Sequence, residues 1–148
     1  MKQIVPHLWF DKEAKEAAEF YTGLFPDSRI VSTNILEDTP SGDADTVEFE
    51  LAGQPFEAIS AGPYFSLNPS ISLVLACRTG EEVDALYHAL SNGGTDLMPL
   101  GEYPFSPHYA WVQDRYGLTW QLMLVQGAMP EQKITPHLLF AGAANGKA

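Results

Sequence analysis

The feature that most constrains this chain is a plan of elements stated twice. The first pass opens with a short apolar run, Gln3–Phe10, suited to an early or edge strand because Pro6 lies near its start. Asp11 is placed to cap a helix whose face carries Ala14, Ala17, Ala18, Tyr21, Leu24 and Phe25 until Pro26 stops it. Arg29–Leu36 reads as a strand and Glu37–Asp45 as an acidic loop. Thr46–Ala52 alternates strictly, with Val47, Phe49 and Leu51 on one face and Glu48 and Glu50 on the other. A turn at Gly53-Gln54 returns the chain as Phe56–Ala61.

The second pass follows the same order. Ile71–Cys77 is an apolar strand, and Thr79 with Glu82 forms a T-x-x-E capping box. Val83, Leu86, Tyr87 and Leu90 give the helix face, ended by Asn92-Gly93-Gly94. Thr95–Met98 is a short strand, Pro99–Pro107 a loop rich in proline and aromatic residues. Tyr109–Asp114 and Leu118–Val125 form a hairpin around Arg115-Tyr116-Gly117. Both hairpins place a long polar residue four positions after a glycine: Glu57 after Gly53, Gln121 after Gly117. Phe56 and Ala58 flank the first and Trp120 and Leu122 the second, so strand parity puts Glu57 and Gln121 opposite the bulky apolar side chains.

The expected fold is therefore α+β, built from two βαβββ modules at about residues 3–64 and 70–126, with residues 1–129 forming one domain. An echo follows. Lys133–Phe140, "KITPHLLF", repeats Gln3–Phe10, "QIVPHLWF", at five of eight positions, the Pro-His pair included. Residues 130–148 then read as a linker and the first strand of a truncated third module. The chain on this reading is cut from, or shortened from, a tandem protein, and Ile134–Phe140 is expected to lie extended against a sheet edge or groove, of its own or a neighbouring subunit.

The net charge of −11 argues against a nucleic-acid partner, whose phosphates need a basic face, and against anionic membranes. A single cysteine, Cys77, permits no internal disulfide and suits a reducing cytoplasm. No apolar run approaches the length of a membrane helix.

The stretches "PHLWFDKEAKEAAEFYTGLFPDS", "AISAGPYFSLNPSISLVLAC" and "WVQDRYGLTWQLML" resemble the vicinal oxygen chelate superfamily. That superfamily holds glyoxalase I, bleomycin- and fosfomycin-resistance proteins and ring-cleaving dioxygenases, and the nearest branch is the demethylubiquinone methyltransferase-like one. The resemblance implies curved sheets around a cavity. It also implies divalent-metal ligands on the first and fourth strands of each module, which fall here on His7, Glu57, Ser72 and Gln121. His7 and Glu57 are the right types. Ser72 stands where histidine or glutamine is usual, and Gln121 where glutamate is usual, so no tightly bound metal is expected although a divalent ion is allowed for. The candidate site is thus His7, Trp9, Glu57, Ser72 and Gln121, with His7, Glu57 and Gln121 expected to face one interior space. Should a metal bind, His7, Glu57 and Gln121 would hold it.

Each candidate has a plainer account. His7 can cap a strand start, Glu57 can be solvated beside a turn, Ser72 can bond to backbone, and Trp9 can be cavity wall. His108 adjoins the second aromatic loop and is placed to reach a cavity mouth. The expectation is a homodimeric small-molecule-binding protein with no assignable reaction. A metal-dependent lyase, isomerase or dioxygenase using His7 and Glu57 is one alternative, and an antibiotic-sequestering binder is another. A methyl transfer is disfavoured, because no glycine-rich strand-to-helix turn is present to hold a methyl donor.

Overall fold

Alternation in Thr46–Ala52 dictates a sheet with one buried face, and the first half of the chain builds it. The structure is a computed structural model that describes residues 3–140. These fall into two compact units, divided between Leu67 and Asn68.

The first unit runs β1 (His7–Phe10), α1 (Ala14–Thr22), β2 (Arg29–Thr39), β3 (Gly42–Leu51) and β4 (Gln54–Ser60). The sheet order is β1-β4-β3-β2, with β1 parallel to β4 and the other pairs antiparallel. Val47, Phe49, Leu51, Phe56 and Ala58 are buried on one face with Leu8 and Phe10. Phe49 lies opposite Phe56 in register, and their rings stack at 5.5 Å. The small residues Ala14, Ala17 and Ala18 of α1 are fully buried, and Tyr21 fills the space at the end of their row.

Three local readings change here. Asp11 does not cap α1. Glu13 occupies the cap position without a side-chain bond, and the Ala14 amide instead donates to Ser60 Oγ at the end of β4. The expected acidic loop at 37–45 is the hairpin end of β2 and β3, which stay paired as far as Thr39 and Gly42. Asp38, at φ 58°, takes up a bulge there, and alternation had concealed it because the bulge breaks the period of two. The second hairpin turns on Ala52-Gly53, both at positive φ, the pattern of a type I′ turn.

The second unit runs β5 (Ile71–Cys77), α2 (Gly80–Ser91), β6 (Thr95–Tyr103), β7 (Ser106–Gln113), β8 (Thr119–Leu124) and β9 (Ile134–Leu138). Its sheet order is β6-β7-β8-β5-β9. Val83, Leu86 and Leu90 of α2 are buried, as are Leu73, Leu75, Cys77, Ala110, Val112, Trp120 and Leu122 of the sheet. Thr79 Oγ1 accepts from the Glu82 amide, as the capping box requires, while Glu82 Oε2 accepts from the amide of Arg78 rather than of Thr79. Burial pushes the Cys77 thiol up to about 12, so Cys77 behaves as a small apolar residue. The expected proline loop at 99–107 is mostly strand: β6 passes through Pro99 with three register shifts against β7. Proline is tolerated there because β6 is an edge strand.

The echo segment is β9. It adds antiparallel to β5 at the other edge, with Ile134 opposite Leu75 and His137 opposite Ser72. Backbone bonds extend the ladder at both ends, from Ala76 N to Lys133 O and from Leu139 N to Ser70 O. Pro136 sits opposite Leu73, where an edge strand can lack an amide donor. Ile134 is fully buried. Lys133 ties the strand to α2 by donating to Glu82 Oε1 and to Ala76 O. Residues 141–148, the close of the echo's expected module, lie outside the described residues. No helix among the described residues is long and apolar enough to cross a membrane.

Candidate functional site

Parity positions the candidates. In the first unit, His7 and Trp9 point away from Leu8 and Phe10, and so away from α1. His7 lies beside Glu57 in the parallel pair, and Glu57 lies opposite Glu48 in the antiparallel one. Ser32 continues the row, donating to Glu48 Oε2 at 3.1 Å. The helix-free face therefore carries a line of one imidazole, two carboxylates and a hydroxyl, the first three exposed and Ser32 half-buried. Two like charges side by side are unfavourable, so this row holds Glu48 and Glu57 at some cost. Trp9 is anchored differently. Its Nε1 donates to Gly62 O at 2.9 Å, its ring meets Phe65 edge-on at 5.1 Å, and it packs on Ala44, Ile59 and Ala61.

In the second unit the face opposite α2 carries a buried polar cluster. Gln121 is 9% exposed and Ser72 is 1% exposed. Gln121 Nε2 donates to Ser72 Oγ at 2.8 Å and to His137 Nδ1 at 2.9 Å. Its Oε1 accepts from the Tyr109 hydroxyl at 2.6 Å. Burial pushes the Tyr109 phenol up to about 12, which keeps it protonated and available as that donor. Tyr103 and Phe105 pack edge-on against Tyr109 at 5.4 and 4.7 Å and stack on each other at 5.7 Å. Trp111 faces the same way, opposite Gln121, and its buried Nε1 has no hydrogen-bond partner among the described residues.

The turn that carries Gln121 is built by Asp114. Its Oδ1 accepts from the amides of Tyr116 and Leu118, and its Oδ2 from Trp120 Nε1 at 2.9 Å. A buried carboxylate satisfied by three N–H donors locks the hairpin and so the direction of Gln121.

The structure thus brings together His7 with Glu57, and Ser72 with Gln121. Sequence reasoning missed Tyr109, Glu48 and His137; the repeated Pro-His of the echo was the available signal for the last. His108 does not reach a mouth. It bonds Asp84 of α2 at 2.6 Å on the helix side of the sheet. A crevice of about 460 Å³ in the first unit is lined by Asp11, Asp43, Asp45, Ser60 and Tyr64 among others, and contains none of the five candidates.

Both ends of the Gln121 amide are committed to protein partners. Among the described residues no group of three or more histidine, cysteine, aspartate or glutamate side chains is placed to hold an ion.

The family model for 3-demethylubiquinone-9 3-methyltransferase matches residues 2–123. The chain belongs to this family. A Bacillus cereus structure, a candidate 3-demethylubiquinone-9 3-methyltransferase and PhnB protein, is 39% identical with a TM-score of 0.76, over 84% of this chain and all of its own. Protein PA1353 from Pseudomonas aeruginosa is 25% identical with a TM-score of 0.72, over 86% of this chain and all of its own. A glyoxylase/bleomycin resistance protein/dioxygenase domain from Frankia shares the fold at 15% identity and a TM-score of 0.59, over 85% of this chain and 99% of its own. No curated protein matches the sequence. Family and fold place the chain in the vicinal oxygen chelate superfamily, as its motifs implied, without fixing a reaction.

Proposed function

We propose that this chain is a small-molecule-binding protein whose ligand lies on the helix-free face of the five-stranded sheet, over Ser72, Tyr109 and Gln121. One observation carries the reading: a glutamine held almost fully buried by three named partners on the face that the core does not use. Buried polar networks cost stability unless fully satisfied, and a sheet needing only to fold would place apolar residues there. Beside the network, Tyr103 and Phe105 supply an aromatic rim, and Phe105 is 55% exposed. A net charge of −11 and a site of neutral donors favour an uncharged ligand with an aromatic or apolar frame.

The test is a thermal-shift screen of uncharged aromatic ketones and quinols against the protein and Phe105→Ala. A ligand at one hundred times its Kd stabilises by about 2.7 kcal/mol. Shifts that shrink in Phe105→Ala support the sheet-face site, and shifts indifferent to it count against the reading.

A second reading, a metal-dependent lyase, isomerase or dioxygenase using His7 and Glu57, is favoured by the row of His7, Glu57 and Glu48. It predicts near-stoichiometric divalent metal after chelator-free purification, lost in His7→Ala. Methyl transfer gains no support from the strand-to-helix connections. Asp11-Lys12-Glu13 joins β1 to α1 and Arg78-Thr79 joins β5 to α2, and neither is glycine-rich.

A further inference from the structure

The echo strand brings a histidine to this face, and neither the superfamily motif nor the duplicated plan calls for one there. We infer that His137 is a ligand-contacting residue, presenting a fixed Nε2–H donor to a carbonyl oxygen of an uncharged aromatic or apolar molecule. The inference rests on the sheet-face reading and adds to it the atom that recognises the ligand.

The argument is one of proton accounting. Tyr109, buried and kept protonated, donates to Gln121 Oε1. The amide lies with Oε1 on the Tyr109 hydroxyl and Nε2 toward Ser72 Oγ and His137. The Nε2 end can only donate, and it lies 2.9 Å from His137 Nδ1. Nδ1 is therefore the acceptor of that bond, which leaves the ring hydrogen on Nε2. Among the described residues no group pairs with that Nε2, and His137 itself is exposed. The network thus runs from phenol to amide to imidazole and ends on an unpartnered donor.

Position supports the same conclusion. His137 lies opposite Ser72 in the β5–β9 pair, on the face with Gln121. The strand holds it there independently of the network: Ile134 is buried in the core, and Lys133 is bonded to Glu82 and Ala76. An N–H donor on a chain of net charge −11 suits a carbonyl oxygen better than a carboxylate, which would meet the protein's overall negative potential.

The experiment uses the full chain labelled with ¹⁵N at histidine, with the His137 signals identified by their loss in His137→Phe. Without ligand, the expected spectrum shows Nε2 protonated and Nδ1 bare; the reverse tautomer overturns the inference. Acetophenone, ethylbenzene and benzoate are then titrated. Acetophenone is expected to shift the Nε2–H signal and to bind about fivefold more weakly to His137→Phe, the loss of one hydrogen bond, with His137→Gln restoring part of it. Ethylbenzene is expected to shift the aromatic rim alone, and benzoate to bind more weakly than acetophenone. Acetophenone binding on the sheet face with Nε2–H unmoved, and with equal affinity for His137→Phe, would overturn the role of His137 and leave the sheet-face reading standing. Binding of acetophenone and ethylbenzene elsewhere only, with the sheet face silent, would remove both.

Discussion

Ile134→Ala is the substitution that asks whether the echo strand is structural. Ile134 begins β9, is fully buried, and lies opposite Leu75, itself fully buried. The change removes about three carbon groups from a closed core. At about 0.8 kcal/mol for each buried CH₂ the transfer loss is roughly 2.4 kcal/mol, and the residual cavity brings the total to about 3–4 kcal/mol. Leu138 closes the same strand but is 57% exposed, so Leu138→Ala should cost well under about 1 kcal/mol. The contrast within one strand is the point, because a strand docked only by its backbone would make the two equal. The assay is thermal unfolding by circular dichroism, where about 3 kcal/mol lowers Tm by roughly 6–12 °C in a chain this long. If Ile134→Ala melts within a degree or two of the parent protein, β9 contributes no core and the echo carries no structural role.

Other outcomes follow from named contacts. Asp114→Ala strands three donors, those of Tyr116, Leu118 and Trp120, and should cost at least about 3 kcal/mol in urea unfolding, with loss of the Gln121 network. Thr79→Ala removes the bond to the Glu82 amide at the start of α2 and should cost about 1 kcal/mol. Tyr109 gives a pH prediction: its phenol is raised from 10.0 to about 12 by burial, so its stabilising contribution is full below pH 10 and lost as pH rises through 12. A rise of that size amounts to about 2–3 kcal/mol, and Tyr109→Phe should flatten that part of the alkaline unfolding curve between pH 10 and 12. S-adenosylmethionine should give no heat of binding in calorimetry, and micromolar affinity would reverse the reading of the strand-to-helix connections.

The sequence made the element order legible because Thr46–Ala52 alternates strictly and both helices carry a clean apolar stripe. Val47, Phe49 and Leu51 on one side, with Glu48 and Glu50 on the other, left one choice of buried face. Boundaries failed where that period broke: at Asp38, where a bulge hides the continuation of β2, and at Pro99, which reads as a loop signal yet is acceptable on the edge strand β6. Half of the candidate site was legible. Parity identified Gln121, and the superfamily motif identified Ser72. Tyr109 and His137 were not: the hairpin set Tyr109 on the strand beside Gln121 without signalling that its hydroxyl reaches the amide, and His137 depends on β9, which lies on the far side of β5, two strands from β8. Pairing at that separation leaves no periodic trace. The only trace of His137 was its repetition in the echo of the chain's opening.

The most direct measurement of the central claim is amide chemical-shift mapping of the full chain with acetophenone. The account predicts that the moving signals gather at Ser72, Tyr103, Tyr109, Gln121 and His137. A response confined to the acidic crevice of the first unit, at Asp11, Asp43, Asp45 and Tyr64, would contradict it.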